Sequence, residues 1–372
     1  MASSVATSPG SASRRTSDGR AAGDRAADDR AAGDRTAGAP APPDLAASGQ
    51  RGELGEVLDR HRVELTGYCY RMLGSSFEAE DAVQETMLRA WRYHDRYDGR
   101  ASLRSWLYRI ATNVCLDALE GRKRRARPMD LGPAQTADNF ALGEPLPDSV
   151  WVQPVVDGQV LPGSGDPAEV AVARESIRLA FVAALQHLPP RQRAVLILRE
   201  VLRWRASEVA ELLDTSVASV NSALQRARAT LEELDVTFAG SAAPVRMDDE
   251  DQQKLLARYV DAFERYDMDA LVALLHEDAT LSMPPYSLWV HGPAEIVTWM
   301  SGPGIGCAGS LLVPVAVNGS PAFGQYRPDP AGGYVAFALQ VIEVADGAVT
   351  AINAFLDTEK MFPFAGLPLR RD

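Results

Sequence analysis

Six polar side chains spaced along one short stretch, Ser219, Asn221, Ser222, Gln225, Arg226 and Arg228, are of the types that hydrogen-bond base edges and phosphates. They lie on VASVNSALQRARATLEE, a segment whose Val217, Val220 and Leu224 recur at the spacing of an inward helical stripe. Before it come SEVAELLD and a tight connection near Asp214, so the pair has the length and order of a helix-turn-helix. Asp tolerates the left-handed backbone that such a turn often needs. Read without context, the same segment is also a small helical hairpin with a solvated polar face.

A second group lies in YDGRASLRSWLYRIATNVCLDALEGRKRRAR. A polar loop from Asp98 to Ser102 leads into a helix with Leu103, Trp106, Leu107, Ile110, Val114 and Leu119 on its apolar side. A loop displaying Arg and Ser beside Trp and Asn suits an unstacked base. The run Arg122 to Arg127 reads equally as a phosphate-facing patch and as a helix C-terminus complementing its dipole. Upstream, Ala79, Ala82, Val83, Thr86, Met87 and Ala90 form a buried stripe, and Asp81, Gln84, Glu85 and Leu88 fall on the opposite face. Leu88 there is either an ordinary exposed apolar residue or part of a docking surface.

Other candidate chemistry lies near the C-terminus. Tyr286, Trp289, His291, Trp299, Arg327 and Asn353 are candidates to line a pocket, with His291 as a base and Asp357 its partner, or else are packing and rim groups in a domain without chemistry. His276, Glu277 and Asp278 follow a helix and read as its cap, so no metal and no cofactor are expected. Cys69, Cys115 and Cys307 are odd in number and set among apolar residues, as reduced core thiols are.

These groups need scaffolds of two kinds. From about Gly52 to Arg127 and again from about Ala168 to Val236 the periodicity is helical; from Met247 two helices, the second over Ala270 to Leu275, precede the strand-like LLVPVAVNG, YVAFALQVIEV and AVTAINAFLD. Residues 1–51, with a near-repeat of five, read as a disordered tail, 129–167 as a Pro/Gly/Asp-rich linker with some apolar residues against a folded surface, and 237–246 as a second linker. The net charge of −12 counts against nucleic acid as a whole, but residues 247–372 hold 17 acidic and 7 basic residues, net −10, whereas 98–128 hold 8 basic and 3 acidic, net +5. No apolar run approaches the ~20 residues of a membrane span, and a cytoplasmic location is expected.

Together, AEDAVQETMLRAW, YDGRASLRSWLYRIATNVCLD and LPPRQRAVLILREV with SEVAELLDTSVASVNSALQRARATL resemble the extracytoplasmic-function (ECF) sigma factors, in the right order over roughly Gly52 to Arg127 and Ala168 to Leu234. The resemblance implies two all-α sigma domains, region 2 (52–128) and a helix-turn-helix region 4 (168–236), and a C-terminal α+β SnoaL-like domain of the NTF2-like cone fold (247–372) that regulates the sigma factor in place of a separate anti-sigma protein. It makes Asp81, Gln84, Glu85 and Leu88 contacts to core RNA polymerase, and places Gly99, Arg100, Ser102, Arg104, Trp106 and Asn113 near the −10 box. By the same resemblance the polar face of Ser219 to Arg228 reads the −35 box of promoter DNA. Asp214 stands where many members have Gly, and Asn221 where many have a basic residue. An unidentified small ligand of the C-terminal pocket is a further candidate partner, Tyr286, Trp289, His291 and Trp299 being its contacts. Two other functions stay open: a helix-turn-helix regulator that does not join polymerase, and an isomerase- or cyclase-like enzyme acting through the C-terminal domain.

Overall fold

The computed structural model describes residues 54–97, 99–136, 142–163, 166–234 and 250–372. The expected tail and the 237–246 linker lie outside them.

A short helical stretch at 54–59 precedes α1 (Arg62–Leu73), α2 (Ser76–Tyr93) and α3 (Leu103–Leu119). Gly74, at φ 69°, ends α1, and its N–H closes on the Tyr70 carbonyl. Ser75 and Ser102 cap α2 and α3, accepting from the Glu78 and Ser105 N–H groups at 3.3 and 3.1 Å; each such cap is worth ~1 kcal/mol. Linker residues then form a 3₁₀ turn at Asp148–Val150 and the single turn α4 (Asp157–Val160). Beyond it lie α5 (Pro167–Glu175), α6 (Leu179–Leu185) and α7 (Pro190–Leu196), which runs into a wider turn over Ile197–Val201. The helix-turn-helix is α8 (Ala206–Leu212) and α9 (Val217–Glu233), joined through Asp214 at φ 50°.

The C-terminal part opens with α10 (Glu250–Arg265) and α11 (Met268–Val272). β1 (Leu275–Ser282), β2 (Trp289–His291), α12 (Pro293–Ser301), β3 (Leu311–Val317), β4 (Ser320–Pro328), β5 (Tyr334–Ala345) and β6 (Ala348–Phe355) follow, then α13 (Thr358–Phe364) and β7 (Arg370–Arg371). The strand order is β2-β1-β6-β5-β4-β3, with β7 beside β5; only β1 and β6 run parallel. The second helix is therefore shorter and earlier than Ala270 to Leu275. His276, Glu277 and Asp278 belong to β1 rather than to a cap, because the chain enters the sheet one residue earlier.

Alternation on β4 and β5 explains the layering. Phe323, Ala338 and Ile342 face α10–α12, whereas Ala322, Leu339 and Val341 join an apolar cluster that continues into the helical domains. Both faces of the sheet are thus buried, and the second is covered by the chain's own helices.

Candidate polymerase and DNA interface

On α2 the inward stripe leaves Asp81, Gln84 and Leu88 exposed and Glu85 partly so. Leu88 is 57% and Trp91 49% accessible, one helical turn apart on the same side. With Leu58, Arg62 and Met87 they edge a groove between α2, α1 and the 54–59 helix. Trp91 extends the patch expected from Asp81 to Leu88, and two large apolar residues side by side mark a binding surface better than one.

The second group is held by α3. Gly99 has φ 71° and open space about it, and Ser102 is consumed as the α3 cap. Trp106 packs on Tyr97 with ring centroids 5.2 Å apart and tilted by 36°, and Asn113 and Arg100 are exposed. Arg104 pairs with Glu64 at 2.7 Å while lying 5.3 Å from the Tyr108 ring and 5.4 Å from that of Trp204. Trp204 comes from the loop before α8 and packs on Tyr108 at 5.0 Å. Arg109 donates to the Glu211 carbonyl of α8 at 3.2 Å. Part of the face expected to meet the −10 strand is therefore in contact with the helix-turn-helix.

Within the basic run, Arg122, Lys123 and Arg124 are exposed and Arg125 is buried. Helix α3 ends at Leu119, before the run starts. Arg122 and Arg125 both reach Glu78, at 2.7 and 2.8 Å, and Arg125 is buried and donates to the carbonyls of Asp148 and Trp151. It clips the linker to region 2.

On α9, Ser219, Asn221, Ser222, Gln225, Arg226 and Arg228 are all exposed, along the side opposite the buried Val220, Leu224, Ala227 and Leu231. Arg228 pairs with Glu200 at 2.5 Å, which angles its guanidinium back toward the wide turn. Val217 does not face inward; it is 44% accessible, since the first turn of the helix projects beyond its neighbours.

Where the three parts meet sits Asn318, which carried no expectation beyond a strand end. With Gly319 it forms the two-residue turn between β3 and β4, at φ 55° and 64°, the backbone that an Asn-Gly hairpin favours. Fully buried, its amide donates to the Tyr70 hydroxyl of α1 and to the Ile177 carbonyl before α6, both at 2.6 Å. Its side-chain oxygen accepts from the Val155 N–H at 3.0 Å, and its own N–H donates to the Val155 carbonyl at 2.9 Å. Gly319 donates to Asp157 at 2.7 Å, and a side chain there would strike the backbone oxygen of Arg174 at 2.7 Å. Linker residues bind the same domain elsewhere: Leu146 donates to the Pro285 carbonyl, Trp289 to that of Gly132, and Lys360 reaches Asp148 at 2.7 Å. The Asp148 and Asp357 carboxylates push the Lys360 ammonium above its usual range.

One cavity inside the cone, of about 20 Å³, is lined by Phe263, Met283, Trp299, Phe337 and others. That is room for roughly one water. Of the expected pocket residues only Trp299 lines it. Trp289 faces the linker, Tyr286 packs at the edge of the apolar cluster, and His291 is on the surface, 3.5 Å from Asp278. Asp357 pairs with Lys360 at 2.9 Å rather than with His291, Asn353 binds Ser282, and Arg327 covers the Phe337 ring at 3.3 Å. Short β2 turns its ends outward, which alternation alone does not reveal.

Family models described as Sigma-70 region 2, Sigma-70 region 4 and SnoaL-like domain match residues 57–125, 178–231 and 256–352. The chain is similar to the ECF RNA polymerase sigma factor SigG of Mycobacterium tuberculosis, with 45% identity over 87% of this chain and 86% of the relative. It is also similar to SigJ of the same organism, at 30% identity over 85% of this chain and 93% of that one. The crystal structure of the latter superposes with a TM-score of 0.54 at 26% identity, covering 86% of this chain and 99% of its own. Among the described residues no helix is long and apolar enough to cross a membrane.

Proposed function

The chain belongs to the ECF RNA polymerase sigma factors, and from that premise we propose that it is held, before it meets polymerase, in a closed state in which its C-terminal domain keeps region 4 against the −10 face of region 2. As a sigma factor it binds core RNA polymerase and directs promoter-specific initiation, and its SnoaL-like domain modulates that activity. Core polymerase docks on Asp81, Gln84, Glu85 and Leu88, with Trp91 beside them. Gly99, Arg100, Ser102, Arg104, Trp106 and Asn113 take the opened −10 strand, and Ser219, Asn221, Ser222, Gln225, Arg226 and Arg228 read the −35 duplex. We divide the chain at 128, 167, 236 and 246, and count 129–167 as a strap rather than a loose linker. Its work is at cytoplasmic polymerase. We assign the C-terminal domain no catalysis, since His291 and Asp357 are engaged with other partners and Trp299 alone of the expected pocket residues lines the cavity inside the cone.

One observation carries the closed state: Asn318 bonds region 2, the strap and the start of region 4 at once. The −10 and −35 groups must reach separate boxes on one duplex, yet Arg104 of the first and its helix neighbour Arg109 are engaged by Trp204 and Glu211, which precede the helix that carries the second. Opening therefore competes with these contacts, and polymerase and promoter must supply the difference.

The test is run-off transcription with purified core polymerase and the full chain. Leu88→Asp should lower core binding at least tenfold, and Asn318→Ala should raise promoter output at limiting polymerase. Unchanged core binding for the first variant would reject the docking face; unchanged or reduced output by a folded Asn318→Ala chain would reject the closed state.

A further inference from the structure

Between α1, the strap, α5 and the loop before α8 lies a cleft of about 740 Å³. Four arginines, Arg60, Arg71, Arg104 and Arg203, open onto it against two carboxylates, Glu64 and Glu169. Glu64 is already taken, by Arg104 at 2.7 Å and His61 at 2.6 Å. Arg71 is the unusual member. It is 3% accessible, and its guanidinium meets only neutral acceptors, the Ser176 hydroxyl at 2.7 and 2.9 Å and the Ala173 carbonyl at 3.2 Å. No carboxylate pairs with it among the described residues. A buried cation without an anion is costly, and that cost is relieved by an anion entering beside it. Arg203 is presented from the opposite wall, at φ 57°, with Glu200 at a loose 3.9 Å.

From this we propose that the cleft is a binding site for a small phosphorylated anion. Guanidinium groups lining one cleft suit the several oxygens of a phosphate or pyrophosphate group. The remaining lining is mostly valine, leucine and proline, so the rest of the molecule packs on apolar surface. The volume lies in the range of small-molecule sites. A DNA backbone is the other polyanion near a sigma factor, but the cleft exists only while its three walls are together, and Arg71 lies at its buried floor. Because those walls come from region 2, the strap and region 4, an occupant staples the closed state. The site, and with it that consequence, rests on the closed reading above.

The experiment titrates the full chain with inorganic pyrophosphate by calorimetry, with sodium chloride at matched ionic strength as reference. Saturable one-to-one binding is expected, weakened at least tenfold by Arg60→Glu and by Arg203→Glu, both exposed, and unchanged by Arg258→Glu on α10. The melting temperature of the free chain should be the same in all three variants, which separates loss of the site from loss of the fold. Heats no larger than the salt reference, or equal weakening by Arg258→Glu, would overturn the proposal. So would cleft variants that lose promoter DNA in a gel-shift assay but keep pyrophosphate. If pyrophosphate binds yet leaves energy transfer between labels on α2 and α9 unchanged, the site stands and the staple fails.

Discussion

Replacing Asn318 strips three buried groups at once: the Tyr70 hydroxyl, the Ile177 carbonyl and the Val155 N–H. A buried polar group left unsatisfied costs ~1–3 kcal/mol, and alanine also resists φ 55°. Asn318→Ala should therefore lower the unfolding free energy by about 3 kcal/mol, with Asn318→Gly losing less because it keeps the backbone comfortable. Chemical denaturation of the two variants checks the order; a more stable alanine variant would exclude the keystone role. At this scale the sequence spoke unevenly. Polar residues on α9 were legible because helical spacing alone separates their side from Val220 and Leu224. The Asn-Gly dipeptide announced a hairpin but not what its tip would enter, since partners 141 and 248 residues away in the chain leave no local trace. His291 and Asp357 looked like a catalytic pair only because two residue types were matched without geometry.

Helices and strands were legible where one face is buried and the other is wet. The stripes of α2 and α9 have that form. β4 was missed because SPAFGQYRP is buried on both sides and carries Pro, Gly and Gln, which no period-two pattern flags. The strap was underestimated for a related reason. Beyond two local turns, its pairing is with other elements, as at Ala126 with Trp151 and Val156 with Val317. The seam between α1 and α7 shows what such contacts carry. Arg193 of α7 is buried, reaches the Met72 carbonyl at the end of α1, and also binds Gln186 and Leu188. Desolvation brings its guanidinium down to about 10. Arg193→Met would leave those acceptors without a donor and should cost about 1–3 kcal/mol. Arg124→Met, at the surface beside His187, should cost under ~1 kcal/mol. Thermal unfolding of both variants, followed by far-ultraviolet dichroism, distinguishes a seam held by the buried cation from one held by apolar contact alone.

At the scale of the molecule, the apolar cluster that begins in region 2 continues through region 4 to one face of the sheet, so the three regions should unfold together. Buried tyrosines offer a way to see it. Burial raises the phenols of Tyr68, Tyr70, Tyr108 and Tyr259 above their ordinary range and takes Tyr266 to about 12. An unfolded tyrosine ionises near ~10. Their contribution to stability is therefore complete below that pH and is lost as pH rises toward the folded values, because the unfolded chain gives up its protons first. Tyr68, Tyr70 and Tyr108 report on region 2 and its contacts with Asn318 and Trp204, while Tyr259 and Tyr266 report on the cone. Raising the pH above 10 should bring tyrosinate absorbance and loss of helical dichroism in one shared transition, its midpoint falling on prior addition of urea. Two separated transitions, with the cone tyrosines ionising after the helical signal has gone, would mean that the sheet face merely rests on the helices.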